Sequence, residues 1–193
     1  MNRLALVFTT CMLLALFAGS GGAVETGQVS VDDPKDSGNL YEKSAYAPCD
    51  LRKVVAQVKR GKLVVDVTLR GKQNFVNAYL HLNTKGKKGS EPEYVVNPDS
   101  DDKGVLYKTG GVDDFGNFED PKDKGRVVAK VLDGGKTVEF KVPLRKLGSP
   151  ATTGFQARTC GEGSVDIAPG GNHFDDRSYT GRPAFEHKNI KTG

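Results

Sequence analysis

At 193 residues, with a formal charge of +4 and 37% hydrophobic residues, the chain suits one domain with an ordinary core. Its lysines are interspersed with acids, so the small positive excess reads as a solvated surface and excludes a nucleic-acid-binding design. Three histidines and three cysteines, without zinc spacing, leave metal centres and redox motifs without support.

Residues 1–23, "MNRLALVFTTCMLLALFAGSGGA", have the anatomy of a secretory signal peptide. Arg3 precedes an apolar stretch from Leu4 to Phe17, and small residues end at Ala23. The alternative, an uncleaved anchor, has a short apolar run interrupted by Thr9 and Thr10. Cleavage leaves two cysteines, Cys49 and Cys160, and a secreted compartment favours their oxidation to one disulfide. Such a bridge would close a loop of about 110 residues and contribute about 4–5 kcal/mol in the chain-entropy account. Two buried free thiols are the alternative. Residues 24–47 are polar and aperiodic, and are expected to be a flexible N-terminal segment.

The remaining chain reads as β structure. "LRKVVAQVKRGKLVVDVTLRG" splits at Arg60-Gly61 into two valine-rich runs. In the second, Leu63, Val65, Val67 and Leu69 share one face, opposite Lys62, Asp66, Thr68 and Arg70. "FVNAYLHLN" alternates likewise, with Val76, Ala78, Leu80 and Leu82 opposed to Phe75, Asn77, Tyr79 and His81. "EYVV" is a further strand, ended by Asn97-Pro98. Val105 to Lys108 is a short one among acidic, glycine-rich loops. "RVVAKVLDGGKTVEFKVP" is a hairpin, because Asp133, Gly134 and Gly135 accept the positive φ angles of a tight turn. Pro143 opens a single helical turn over 143–148, and "TGFQART" and "SVDIAP" close the domain. The expected fold is an all-β antiparallel sandwich over 48–168, with jelly-roll or immunoglobulin-like layering, and a barrel is the alternative. A polar C-terminal tail is expected over 169–193.

Several of these features together resemble secreted domains of the DOMON and family 9 carbohydrate-binding-module type. They are the Asp-led first strand at Asp50, the Asn83-Thr84, Gly89 and Pro92-Glu93-Tyr94 positions, and Pro143-Leu144 with Leu147-Gly148. The likeness covers residues 50–168 and implies a β-sandwich in a group that binds sugars or haem. The chain departs from it in lacking tryptophan platforms. Both methionines, Met1 and Met12, lie in the leader, which removes Met/His haem ligation. No cofactor is expected.

The candidate ligand set is Asp66, Asn77, Tyr79, His81 and Glu139, with Thr68 and Lys141 on the same expected face. A solvated outer face would show the same alternation. Asp113, Asp114, Asn117 and Glu119 are weak calcium candidates off the EF-hand spacing, and Lys85, Lys87 and Lys88 argue against calcium in the turn after His81. His173, Asp175 and Asp176 form a short acid-histidine cluster. Without a Gly-x-Ser-x-Gly elbow or a phosphate-cradling loop, no catalytic set converges. The expectation is a secreted, monomeric, non-catalytic module that recognises an extracellular glycan or other polar ligand. The alternative is an envelope-associated protein-interaction domain that binds another secreted protein.

Overall fold

The computed structural model describes residues 27–32, 50–72, 78–85, 91–99, 102–112, 118–161, 164–168, 174–175 and 187–193. Their strands are β1 (Val29–Asp32), β2 (Leu51–Lys59), β3 (Lys62–Leu69), β4 (Ala78–Asn83), β5 (Tyr94–Asp99), β6 (Lys103–Lys108) and β7 (Gly111–Val112). There follow β8 (Phe118–Glu119), β9 (Lys122–Leu132), β10 (Thr137–Pro143), β11 (Thr152–Gly161), β12 (Ser164–Ala168), β13 (Phe174–Asp175) and β14 (Lys188–Lys191). All pairings among them are antiparallel, as the period-two patterns require.

Local chemistry sets the turns. Arg60 (φ 49°) and Gly61 (φ 71°) form a two-residue turn between Lys59 and Lys62, with both central residues in the left-handed region that matches strand twist. Asp133–Gly135 makes a 3-10 turn joining β9 to β10, at the expected hairpin. After Pro143, one 3-10 turn spans Leu144–Leu147 and ends at Gly148 (φ 82°).

The expected sandwich differs from the observed sheet. The described strands make one 12-stranded sheet, ordered β1-β2-β3-β10-β9-β6-β5-β4-β11-β12-β13, with β14 also on β11. It curls until β11 and β12 approach β2, and β1 approaches β14, giving a nearly closed, barrel-like wall. Half-buried strands carry the same alternation in a sandwich and in a barrel, so periodicity does not separate the two. β7 and β8 pair as a separate ribbon.

Both end segments contribute strands. Within 24–47, Val29–Asp32 pairs with β2, and Val29 and Val31 pack partly against the core. Within 169–193, β13 pairs with β12, and β14 places Ile190, 1% exposed, in the core. The signal peptide expected over 1–23, and Cys49 of the expected disulfide, lie outside the described residues. The backbone of Cys160 is in β11, paired with Val165.

Inward positions form one apolar cluster. Leu63, Val65, Val67, Leu80, Leu82, Leu106, Phe140 and Phe155 are all fully buried within it. Gly104 of β6 faces this interior, where a Cβ would lie 2.8 Å from Val96 Cγ1 and 3.1 Å from Ala129 Cβ. The outer surface carries Lys53, Lys62, Asp66, Lys130 and Glu139. An apolar inside with a charged outside reverses the polarity of a lipid-facing barrel. No helix among the described residues is long and apolar enough to cross a membrane.

Candidate functional site

The sequence-derived ligand set divides between two regions of the outer surface. Asp66 and Glu139 are direct cross-strand partners on β3 and β10. Tyr79 and His81 lie on β4, and β9, β6 and β5 stand between β10 and β4. Asn77 lies outside the described residues.

Around Asp66, the outer faces of β2, β3 and β10 form an open groove of about 760 Å³. Gln57, Val64, Asp66, Glu139 and Lys141 line it, and the Lys59–Lys62 turn borders one end. Strand pairing places them there. Gln57 and Lys141 both face Val64, on opposite sides of β3, while Glu139 faces Asp66 one step further along. Val64 is 5% exposed, so the groove has an apolar floor among charged walls. Lys141 Nζ donates to Glu139 Oε1 at 2.5 Å.

Asp66 is differently placed from Glu139. One of its oxygens has no accessible surface and no hydrogen-bond partner among the described residues. Burial, with the neighbouring Glu139 charge adding to it, pushes the Asp66 carboxyl above the ordinary aspartate range; Lys59 and Lys141 pull the other way. The groove therefore holds two adjoining carboxyls, only one of which has a cation hydrogen-bonded to it. An amide, an ammonium and a pair of carboxyls can together hold a ligand rich in hydroxyl groups.

The β4 region behaves otherwise. Tyr79 stays half-buried, opposite Arg158, but His81 is only 3% exposed although it points away from the main core. Its ring meets Phe118 of β8 edge to face, with centroids 5.3 Å apart. Its strand neighbours on the outer surface, Gln156 and Val95, are fully buried. Arg158 Nε donates to Gln156 Oε1 at 3.3 Å. His187, just before β14, sits over Gly154: a Cβ at that glycine would lie 2.9 Å from His187 Cβ. Burial, then Arg158 and His187, hold the His81 imidazole well below the usual histidine range. Burial lowers His187 to about 4, with Glu93 opposing and Arg158 assisting.

Phe118, Gln156, Arg158 and His187 were not marked by the sequence. One signal was available: Tyr94, Val95 and Val96 run without alternation, as a strand covered on both faces does.

Asn83, Thr84, Lys85, Pro92 and Glu93 form a turn clamp beside this region, and Gly89 lies outside the described residues. Glu93 Oε2 accepts hydrogen bonds from Thr84 N (2.6 Å) and Thr84 Oγ1 (3.0 Å), while Lys85 Nζ lies 2.9 Å from Oε1. Asn83 Oδ1 accepts from Lys85 N, and Thr109 Oγ1 bonds to the Pro92 carbonyl. Burial alone would raise the Glu93 carboxyl, but the Thr84 and Lys85 contacts outweigh it and leave the group below its ordinary value.

Of the calcium candidates, Asp113, Asp114 and Asn117 lie outside the described residues. Glu119 is exposed, and its carboxylate and that of Glu91 both flank Gly111. Among the described residues, no three His, Cys, Asp or Glu side chains gather to hold a metal ion. Asp175 is in β13, while His173 and Asp176 lie outside the described residues. Comparison of the chain with protein-family models, curated proteins and solved structures finds no match.

Proposed function

We propose that the protein is a secreted, non-catalytic binding module whose groove on β2, β3 and β10 takes a hydroxyl-rich polar ligand of the glycan type. The observation that carries this reading is Asp66, a half-buried carboxyl with an unsatisfied oxygen beside Glu139 in an open groove. A buried acceptor without a partner costs stability, and a ligand or a retained proton relieves that cost. The resemblance to DOMON and family 9 carbohydrate-binding domains supports the same class of ligand. The leader sequence supports export, with the mature chain starting at Val24 and acting as a monomer. The groove replaces Tyr79 and His81 as the place of contact, because His81 is covered by Phe118.

Calorimetric titration against a panel of soluble neutral and acidic polysaccharides tests the reading. Binding should weaken at least about tenfold in Asp66→Ala and in Glu139→Ala, the loss of one or two charged hydrogen bonds. It should persist in Tyr79→Ala. A panel without any binder, or binding indifferent to both groove substitutions, would falsify the assignment. Amino-terminal sequencing of the exported chain tests the cleavage.

A further inference from the structure

We propose that the C-terminal strand β14 is an acid-releasable latch, held by His187 in the hollow over Gly154, near the buried His81. Three features of the geometry converge here. Gly154 leaves room that any side chain would fill, since a Cβ there would stand 2.9 Å from both His187 Cβ and Asn189 Oδ1. β14 pairs with β11 only over Thr152–Phe155, beyond the stretch of β11 that β12 occupies. The strand also delivers Ile190 to the core and approaches β1 at the seam of the sheet. A short strand with few ladder bonds depends heavily on its side-chain anchors; Ile190 and His187 are two of them, and Thr192 Oγ1, donating to the Pro150 carbonyl, is a third that does not titrate.

The groups facing the two imidazoles set the response to protons. From β11 comes the Arg158 guanidinium, whose charge opposes a second cation at either histidine. From β4 comes His81 itself; Phe118 of β8 covers it and offers no charge to a cation. Ahead of β5 stands Glu93, which favours a proton on His187, but it is already paired with Lys85 and hydrogen-bonded by Thr84. Burial and Arg158 outweigh it, so the docked state excludes the proton that a released arm accepts. With His187 at about 4 when docked, and an ordinary imidazole near 6.5 when released, docking weakens about 30-fold between pH 7.5 and 5. His81 adds in the same direction once the cover loosens. Release withdraws Ile190 from the core and frees the edge of β11 over Thr152–Phe155.

Hydrogen exchange of the Lys188–Lys191 amides, corrected for the intrinsic rate and referred to Val65 and Phe140, tests the latch. Protection in the unaltered protein should fall about 30-fold from pH 7.5 to 5, and His187→Gln should flatten that fall. Protection that stays constant in the unaltered protein, or falls equally in a His81→Gln/His187→Gln double variant, overturns the proposal. If His187→Gln already releases the arm at pH 7.5, imidazole NMR titration of the unaltered protein decides. Titration of His187 well below the ordinary histidine range supports the latch, and titration within that range overturns it.

Discussion

Asp66 carries a charge that folding disfavours, and Glu93 carries one that folding rewards. The folded Asp66 carboxyl is raised. Its contribution is therefore fully present below the ordinary aspartate value and is lost as pH rises through the folded value. Asp66→Asn should then raise the urea midpoint at pH 7 while weakening ligand binding, the trade expected of a site that gives up stability for function. An Asn variant that is less stable and binds normally would assign Asp66 a structural role. Glu93 behaves oppositely, because its folded value is lowered. Its contribution is complete above the ordinary glutamate range and disappears as pH falls through the folded value. Glu93→Gln should cost about 1–3 kcal/mol at pH 7, the range for a charged hydrogen bond to a largely buried group. Denaturant unfolding at pH 7 and pH 3 checks the sign, since the gap between the two proteins should close at the lower pH. Both residues were named from the sequence. What was not legible there was which carboxyl would be orphaned and which clamped, because that depends on Thr84 and Lys85 on one side and on Glu139 on the other.

Among the elements, β3 and β10 were legible in detail. Their alternation sends Leu63, Val65, Val67, Val138, Phe140 and Val142 inward, and all six are fully buried. Phe140→Ala should cost about 3–5 kcal/mol, a loss of transfer energy plus a cavity, read as a lower denaturation midpoint. β6 shows the converse constraint. Gly104 is enclosed by Val96 and Ala129, so Gly104→Val overfills the wall and should cost about 1–3 kcal/mol. A Gly104→Val protein as stable as its parent would show that β5 and β9 can part there. β14 was illegible as a strand because a lone Ile190 among Lys188, Asn189 and Lys191 makes no pattern. Its burial depends on a gap left beside β11 where β12 ends. The outer face of β4 was legible as an alternation but not as a covered surface, since Phe118 and His187 arrive from distant parts of the chain.

For the whole molecule, the decisive feature is a sheet whose seam is bordered by terminal strands, with β1 approaching β14. Ending the chain before His187 removes Ile190 and the cover over Gly154 together. The loss should reach at least the 2–5 kcal/mol or so of an Ile→Ala core substitution, seen by calorimetry as a lower Tm. A truncated chain that melts like the full one would exclude β14 from the cooperative unit. By itself, the sequence determined the β class, the two hairpin turns at Arg60-Gly61 and Asp133–Gly135, and the inward faces of the long strands. These follow from side-chain period and from residues that tolerate positive φ, both local properties. Only the tertiary structure decided that the strands join one curled sheet and that Asp66 meets Glu139 across β3 and β10. It alone buried His81 beneath Phe118. Strand order and the covering of an outer face are set by contacts between residues far apart in the chain, and a period of two reports only the strand that carries it.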